Sequence, residues 1–478
     1  MPDSVPLLSN YFFQLRQGVQ KYDAMVESLR INFQPILVTS VTTALGFLSM
    51  NFSEVPPLQH LGNVVAVGVM VAFALSVTFL PALVYCLPIR VKVVEAKEGS
   101  FVRWLRALSE FVIRRRRSLM WSMIAISLAF MIFLPKNQIN DEFVKYFDES
   151  IDFRADTDYA SEHLLGPYTF EYNLQTDEAN GISEPEFLKT LQQFVEYLEG
   201  FEEVSHVNSI TDIMKRLNKN LHGDDPEWYR LPESRELAAQ YLLLYEMSLP
   251  YGLDLNNQID IDKSSTRVTV TVKNLSSKQV LALEEQWAAW LNDNAGAYKF
   301  SAASPNLMFA HIGQRNAKSM VGGLLLALFG ISLILIFALR SVKLGLLSLI
   351  PNLVPIGIGF GFWGMVDGTI GMALSIVSGM TLGIVVDDTV HFLSKYLRAH
   401  REKGLSAADA IRYAFTQVGP ALVTTTIVLI AGFLVLSVST FRMNADMGVL
   451  TAFTIGVALV VDFLLLPPLL MKVDSKSA

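Results

Sequence analysis

The sequence predicts an α-helical polytopic membrane protein with about eight full spans, one partial span and one α+β extramembrane domain. Of its 478 residues, 51% are hydrophobic and only 17% are charged, and the mean hydropathy is +0.37. A soluble chain of this length would need more charge to cover its surface. The net charge is −7, and no basic face stands apart from the short connectors, so we expect no nucleic-acid partner.

The predicted spans are stretches of about 20 apolar residues, the length that a helix needs to cross a bilayer. They lie at residues 34–52, 59–88, 118–135, 317–339, 344–366, 370–393, 420–440 and 448–471. Residues 3–15 are too short and too mixed in composition for a full span, and they are interpreted as a partial one. Residues 136–316 contain no such stretch.

Basic residues indicate the orientation of these spans, because short cytoplasmic loops carry an excess of Lys and Arg. Connectors 89–117 and 394–419 are rich in both, whereas loops 53–58 and 367–369 carry neither. We therefore expect a multi-pass protein of the cell (inner) membrane with both termini in the cytoplasm. The run Arg114–Arg117 is interpreted as a stop-transfer anchor in preference to a lipid-binding or nucleic-acid-binding site.

Residues 136–316 are predicted to form an extracytoplasmic domain that mixes helices and strands. Glu186–Gly200 has the period of an amphipathic helix, Ser265–Val272 alternates as a strand does, and a further helix is expected at Ser277–Asn292. This alternation predicts a compact α+β domain. Its histidines lack the spacing of metal ligands, and one cysteine cannot form an intrachain disulfide, so we expect no cofactor and no metal.

An internal repeat divides the membrane-spanning part into two copies. Asp388-Thr-Val-His-Phe-Leu-Ser-Lys-Tyr396 answers Asp3-Ser-Val-Pro-Leu-Leu-Ser-Asn-Tyr11. Further matches pair Pro35-Ile-Leu-Val-Thr39 with Pro420-Ala-Leu-Val-Thr424, Gly46-Phe-Leu48 with Gly432-Phe-Leu434, and Leu80-Pro-Ala-Leu83 with Leu466-Pro-Pro-Leu469. The second copy has much apolar sequence before its Asp pair and the first has none, so we expect an N-terminally truncated first half.

The repeat sets the expected organisation of the chain. Its parts are a remnant of the first membrane half with the end of span 4 and spans 5 and 6 (1–88), a basic cytoplasmic connector (89–117), the first span of the second half (118–135), the extracytoplasmic domain (136–316), a five-span bundle (317–471) and a cytoplasmic tail (472–478). A misplaced start, a split gene or a decayed gene would each give this arrangement.

Ionisable residues within a predicted span are functional by default, because each costs several kcal/mol there unless it is paired or hydrated. Asp387 and Asp388 lie in span 370–393, and His391 follows Asp387 by one helical turn, where the two can pass a proton along. Asp3 is the first-half counterpart of Asp388. The next span carries hydroxyl groups at Thr424, Thr425 and Thr426, and Thr424 and Thr425 are assigned to this proposed proton-coupling site.

Each of these residues also has a structural alternative. Asp388 and His391 approach the cytoplasmic end of the span, where both can be interfacial groups that reach water. The threonines can bond to carbonyl groups of their own helix. Asp462, in the last span, has Ser76 at its repeat position and is as readily structural as functional. An intramembrane protease is excluded, because adjacent aspartates project about 100° apart on a helix and no Gly-x-Gly-Asp context precedes Asp387.

The Asp-Asp-x-x-His motif at Asp387–His391, with two membrane halves and a large domain after the first span, resembles the resistance–nodulation–division (RND) superfamily. Within it the chain is most similar to the MMPL-type exporters, which share the sterol-sensing-domain architecture. Supporting phrases are Tyr245-Glu-Met-Ser248, Asn352-Leu-Val-Pro355 and Gly432-Phe-Leu434.

The resemblance implies export of hydrophobic or amphiphilic, lipid-like molecules driven by the proton-motive force, with no enzymatic step. It assigns proton coupling to Asp387, Asp388 and His391, while Pro6 stands at the first-half position of the histidine. Such transporters build their pathway between pseudo-symmetric halves, so a missing N-terminal half or a second copy is the expected partner. The alternative is a non-transporting membrane lipid sensor or scaffold of the sterol-sensing-domain type.

Overall fold

The computed structural model describes residues 4–88, 100–164, 166, 168–250 and 254–474. The chain divides into two compact units. The membrane unit comprises the residues up to Ile139 together with those from Gln314 onward, and the extramembrane unit is Asn140–Gly313. Asp3, the predicted first-half counterpart of the coupling acids, lies outside the described residues.

The helices and strands are numbered here in chain order. The helices are α1 (Ser4–Arg16), α2 (Lys21–Leu48), α3 (Pro56–Val77), α4 (Phe79–Cys86), α5 (Ser100–Arg114), α6 (Arg116–Met131), α7 (Asp152–His163), α8 (Pro185–Glu199), α9 (Ile210–Leu221), α10 (Arg235–Ser248), α11 (Ser277–Asn294), α12 (Pro305–Leu339), α13 (Val342–Leu347), α14 (Leu349–Val366), α15 (Met372–Ser375), α16 (Val377–Arg401), α17 (Ala407–Gln417), α18 (Gly419–Leu436), α19 (Arg442–Leu464) and α20 (Leu466–Asp474). The strands are β1 (Gln138–Ile139), β2 (Tyr168–Gln175), β3 (Val204–Asn208), β4 (Ser265–Val272), β5 (Lys299–Ala303) and β6 (Thr369–Ile370). Short 3₁₀ helices occupy Ser49–Phe52, Leu134–Lys136, Phe143–Tyr146, Gly181–Ser183 and Pro226–Trp228.

Within the described residues, eight helical segments are long and apolar enough to cross a bilayer. They are Lys21–Phe52, Pro56–Cys86, Arg116–Lys136, Pro305–Leu339, Val342–Val366, Met372–Arg401, Gly419–Leu436 and Arg442–Val473. The predicted fold class, a polytopic helical membrane protein with some α+β structure, is confirmed. Most segments extend past their predicted spans, because the helices continue beyond the apolar stretch into polar sequence, whereas Gly419–Leu436 ends four residues before the end of the predicted span 420–440.

The two copies of the repeat differ at the proline that opens the matched span. In the first copy α2 runs unbroken for 28 residues with Pro35 inside it. In the second copy the same stretch is divided into α17 and α18, and the break falls at Val418, just before Gly419 and Pro420. A proline at the start of a helix costs little, because the amide hydrogen that it lacks would be unbonded there anyway.

Helix α16 is the centre of the membrane unit, with 83% of its apolar window buried. It contacts α2, α14, α17 and α19. Its approach to α2 is closest at glycines: a Cβ atom built on Gly46 would lie 2.7 Å from the Cα atom of Gly383. The Thr43 hydroxyl also donates to the Gly383 carbonyl over 2.8 Å. Small residues allow such backbone contact between membrane helices. Residues of α2 are therefore expected to line any functional site on the facing side of α16.

The extramembrane unit contains a four-stranded antiparallel sheet in the order β3-β4-β2-β5. Its core combines one face of this sheet with apolar residues of α8 and α11. Trp287 of α11 is fully buried, with its ring centroid 5.0 Å from that of Phe170 and 6.2 Å from that of Tyr172. Helix α8 buries six apolar residues at the predicted helical spacing: Phe187, Leu188, Leu191, Phe194, Val195 and Leu198.

Trp287→Ala is expected to lower the free energy of unfolding of the extramembrane unit by about 3–5 kcal/mol, because the cavity it leaves lies between sheet and helix. Thermal unfolding of the full chain, followed by protease cleavage within residues 140–313, measures this as a lower midpoint. Leu243→Ala is the matched control, since that side chain is 54% exposed. Equal midpoints for the two variants would contradict the assignment of Trp287 to the core.

Candidate functional site

Helix α16 carries four consecutive or near-consecutive polar side chains into the interior of the membrane unit. Asp387 and Asp388 are each 8% exposed, His391 is 1% exposed and Thr389 is fully buried. Successive residues of a helix project about 100° apart. The two aspartates therefore meet different neighbouring helices, although they are adjacent in sequence.

Asp387 faces α2 and the next turn of its own helix. Its Oδ1 atom lies 3.4 Å from Nε2 of His391, which is the i,i+4 neighbour that the sequence predicted. The Thr39 side chain of α2 hydrogen-bonds the same carboxyl group. The carboxyl group of Asp387 thus contacts both copies of the repeat, one through His391 and the other through Thr39.

Asp388 faces α18, where the Thr426 hydroxyl donates to its Oδ2 atom over 3.3 Å. The structure does not bring Thr424 or Thr425 to the aspartates. The hydroxyl of Thr424 donates to the Pro420 carbonyl, and that of Thr425 lies within 3.0 Å of two carbonyl oxygens of its own helix. Among the three threonines only Thr426 lies on the face of α18 turned toward α16, so the other two satisfy their hydroxyls locally.

A third buried carboxyl group, that of Asp462, contacts α16 at the residue that follows the Asp pair. The Thr389 hydroxyl is 2.8 Å from Oδ1 of Asp462 on α19 and 3.0 Å from Oδ1 of Asn352 on α14. All three side chains are fully buried. Because one hydroxyl has one proton, Thr389 donates to a single oxygen at a time. Asp462 is therefore part of a three-helix polar cluster next to the Asp pair.

The polar face of α16 continues toward the end of the helix. Lys395, two turns beyond Asp387, is 6% exposed, and its Nζ atom donates to Oδ1 of Asn32 on α2 over 3.0 Å. Asn32 in turn donates to the Ser28 carbonyl of its own helix over 2.9 Å. Asp387, His391 and Lys395 thus form a column at i, i+4 and i+8 that faces α2.

Thr39, Asn352, Thr389, Lys395 and Thr426 were not predicted as site residues. A polar side chain in the middle of an apolar window was the available signal for Asn352, and the i+8 spacing from Asp387 was the signal for Lys395. For Thr39 the available signal was its position in the repeat, where it is the counterpart of Thr424. Nothing in the sequence indicates that the first-copy threonine, rather than the second-copy one, contacts the acid.

Both aspartates open onto a cavity of about 170 Å³ inside the membrane unit. Helices α2, α3, α16, α18 and α19 form its walls, with the lining residues Ser40, Thr43, Phe47, Val69, Ala72, Ile384, Val385, Asp387, Asp388, Leu429, Ile455 and Ala458. A cavity of this size has room for several water molecules. Two carboxyl groups beside such a cavity can exchange protons with water inside it, although most of the cavity wall is apolar.

The MMPL family model matches residues 7–119 and 261–478, which together make up more than half of the chain. The chain belongs to the MMPL family. Both matched stretches contain membrane helices, and the second includes the whole polar face of α16. The predicted place of this MMPL protein in the RND superfamily is confirmed.

Curated relatives cover parts of the chain. The membrane protein MJ1562 of Methanocaldococcus jannaschii is 31% identical over 144 residues, which is 30% of this chain and 37% of that protein. The sulfolipid-1 exporter MmpL8 of Mycobacterium tuberculosis is 25% identical over 213 residues, which is 44% of this chain and 19% of that protein. The matched region therefore spans well under half the length of either relative.

Two solved structures share the fold over 99% of this chain. The hedgehog release protein Disp from the water bear Hypsibius dujardini superposes with a TM-score of 0.66 at 14% sequence identity, over 62% of its own chain. SecDF superposes with a TM-score of 0.52 at 13% identity, over 53% of its chain. At these identities the likeness concerns the fold alone.

Proposed function

We propose that this MMPL protein forms the proton-coupled membrane core of an exporter of hydrophobic or amphiphilic, lipid-like molecules. The observation that carries the proposal is the placement of Asp387 and Asp388, side by side and buried, at a cavity between helices of the two repeat copies. Buried acids in a membrane unit are expensive unless they take part in ion or proton movement. The proton-motive force is the driving force that such acids can use.

In this proposal Asp387 takes up and releases the proton, and His391 is the neighbouring group that exchanges it. Their atoms are 3.4 Å apart, so a small side-chain rotation brings them within hydrogen-bond reach for transfer. Thr426 holds Asp388, and Thr39 holds Asp387 from the other copy of the repeat. A change in the charge of the acid then alters the packing of α16 against α2 and α18, which is the coupling step.

The substrate class follows from the wall chemistry and from one relative. Apart from the two acids, Ser40 and Thr43, the cavity is lined by apolar side chains. The relative MmpL8 exports sulfolipid-1. An amphiphile with apolar chains is therefore the proposed substrate, taken from the outer side of the membrane by the extramembrane unit. The proposed orientation, with both termini in the cytoplasm, is supported by the excess of Lys and Arg in the short connectors.

The proposal is tested with the full chain reconstituted into vesicles that contain NBD-labelled phosphatidylethanolamine. Movement of the label between leaflets is followed by its quenching with dithionite, with and without a transmembrane pH gradient. We expect movement above that of protein-free vesicles only while the gradient exists, and its loss when nigericin collapses the gradient. Movement that ignores the gradient would refute proton coupling, and lipid binding without movement would favour the sensor alternative.

A further inference from the structure

Helix α5 has two apolar flanks with different surroundings. Leu105 and Val112 are fully buried where α5 contacts α17, α18 and α20. The other flank carries three aromatic side chains that contact water or lipid. They are Phe101 (42% exposed), Trp104 (53% exposed) and Phe111 (50% exposed). The Phe101 and Trp104 rings stack with their centroids 5.8 Å apart, so the two form one continuous aromatic surface.

The position of α5 in the chain places this aromatic flank at the membrane surface. A single residue, Arg115, separates the end of α5 from α6, and the apolar segment Arg116–Lys136 is long enough to span the bilayer. The last turn of α5 therefore lies within a few residues of the headgroup region, and Leu105, near the middle of α5, packs against Gly419 at the start of the membrane segment Gly419–Leu436. Trp and Phe on an amphipathic helix at that depth partition into the interface between headgroups and acyl chains.

The charge of this region is strongly positive. Glu110 is the single acid of α5, and Arg412 of α17 binds it with both arms: Nε lies 2.6 Å from Oε1, and the second nitrogen lies 3.1 Å from Oε2. This ion pair holds the pKa of the Glu110 carboxyl group below its usual value. Five arginines nearby are exposed: Arg103, Arg114, Arg115, Arg116 and Arg117. Within the described part of the chain, none of these five forms an ion pair with a carboxylate, whereas Arg412 does.

We propose that α5 and Arg114–Arg117 form a binding surface for anionic phospholipids of the adjacent leaflet, with the aromatic flank against the acyl chains and the guanidinium groups on the headgroup phosphates. Planar guanidinium groups suit phosphate oxygens because they donate two parallel hydrogen bonds. A soluble polyanion would satisfy the arginines but leave Phe101, Trp104 and Phe111 in water. A bilayer with anionic headgroups provides acyl chains for the aromatic side chains and phosphates for the arginines.

This inference differs from the interpretation of Arg114–Arg117 as a stop-transfer anchor alone. A topology signal needs only positive charge near a span. It does not require an ordered helix with an aromatic flank, nor the neutralisation of Glu110 by a residue about 300 positions away. The lipid surface is independent of proton coupling, since neither Asp387 nor the cavity contributes to it.

The test uses the full chain in vesicles of equimolar phosphatidylcholine and phosphatidylglycerol, with bromine on the acyl chains of one lipid at a time. Brominated chains quench nearby tryptophan, and the difference between the wild type and Trp104→Phe isolates Trp104 from the other tryptophans. We expect stronger quenching of Trp104 by brominated phosphatidylglycerol than by brominated phosphatidylcholine. The preference should weaken as salt is added, because salt screens the exposed charges.

The charge variant is Arg103→Gln with Arg114→Gln, which keeps Arg115–Arg117 in place to set the topology. We expect the relative affinity for phosphatidylglycerol to fall by about fivefold for each arginine removed. Lys189→Gln with Arg216→Gln is the matched control, since both side chains are exposed on the extramembrane unit. Monodisperse elution of each variant in detergent establishes that the chain has folded.

Three outcomes would overturn the proposal. One is equal quenching of Trp104 by both brominated lipids, and another is a preference that survives in the Arg103, Arg114 double variant. The third is protection of Trp104 from both lipids, together with binding of a fluorescent oligonucleotide that the double variant loses. That last result would assign the surface to a soluble polyanion.

Discussion

Asp387→Asn is expected to reduce gradient-driven lipid movement to the level of protein-free vesicles. The amide has almost the volume of the carboxyl group, and its oxygen can still accept a hydrogen bond from Thr39, so the local packing is kept. It cannot take up or release a proton at any accessible pH. The dithionite assay under a pH gradient measures the effect, and pyranine trapped inside the vesicles reports the accompanying proton flux.

The matched control for this variant is Asp23→Asn. Asp23 lies exposed in the first turn of α2, so the same change of atoms there removes a charge that contacts water. Asp23→Asn should transport like the wild type, and both proteins should elute alike from a sizing column. If Asp387→Asn retains gradient-dependent movement, the acid is structural and the coupling assignment fails, whatever the substrate is.

Gly46→Leu is expected to prevent the native contact of α2 with α16. The new Cβ atom would lie 2.7 Å from Cα and 2.8 Å from N of Gly383, and backbone atoms cannot rotate away as a flexible side chain can. Overpacking of this kind costs about 1–3 kcal/mol for one or two methylene groups, and a leucine adds more. We expect a lower thermal midpoint in detergent and loss of lipid movement, since α2 and α16 both line the cavity.

Two glycines provide matched controls for this substitution. A Cβ atom on Gly68 of α3 meets no described atom within 4 Å, and the same holds for Gly432, the repeat counterpart of Gly46. Gly68→Leu and Gly432→Leu should therefore keep the wild-type midpoint. If all three variants unfold alike, the contact between α2 and α16 is not the cause, because leucine favours a helix more than glycine does, and the close-approach argument is wrong.

The extramembrane unit shows where sequence patterns succeeded and where one was overlooked. The strand at Ser265–Val272 was predicted with the bounds that β4 has, because its alternation of polar and apolar residues is regular. Strand β2 was not predicted, although Phe170, Tyr172 and Leu174 also alternate into the core. It pairs with β4 at a sequence separation of about 90–100 residues. The strand propensity of a segment does not identify a partner strand so distant in the sequence.

The sequence alone predicted the fold class, the eight membrane segments found among the described residues and the two acids of the candidate site. Apolar length identifies a span, and the cost of an ionisable group in lipid makes Asp387 and Asp388 stand out without any tertiary information. The i+4 spacing likewise predicted the contact of Asp387 with His391. All three inferences depend only on positions within a single helix.

Only the tertiary structure decided which side chains from other helices meet these acids. Helical period defines the faces of α18 and α2 but not their rotation about their own axes, so the predicted site included Thr424 and Thr425 and omitted Thr426. The structure turns Thr426 toward Asp388 and brings in Thr39, while Thr389 joins Asp462. Rotation is set by interhelical packing, here by the contact of Gly46 with Gly383, and that contact exists only when the helices are assembled.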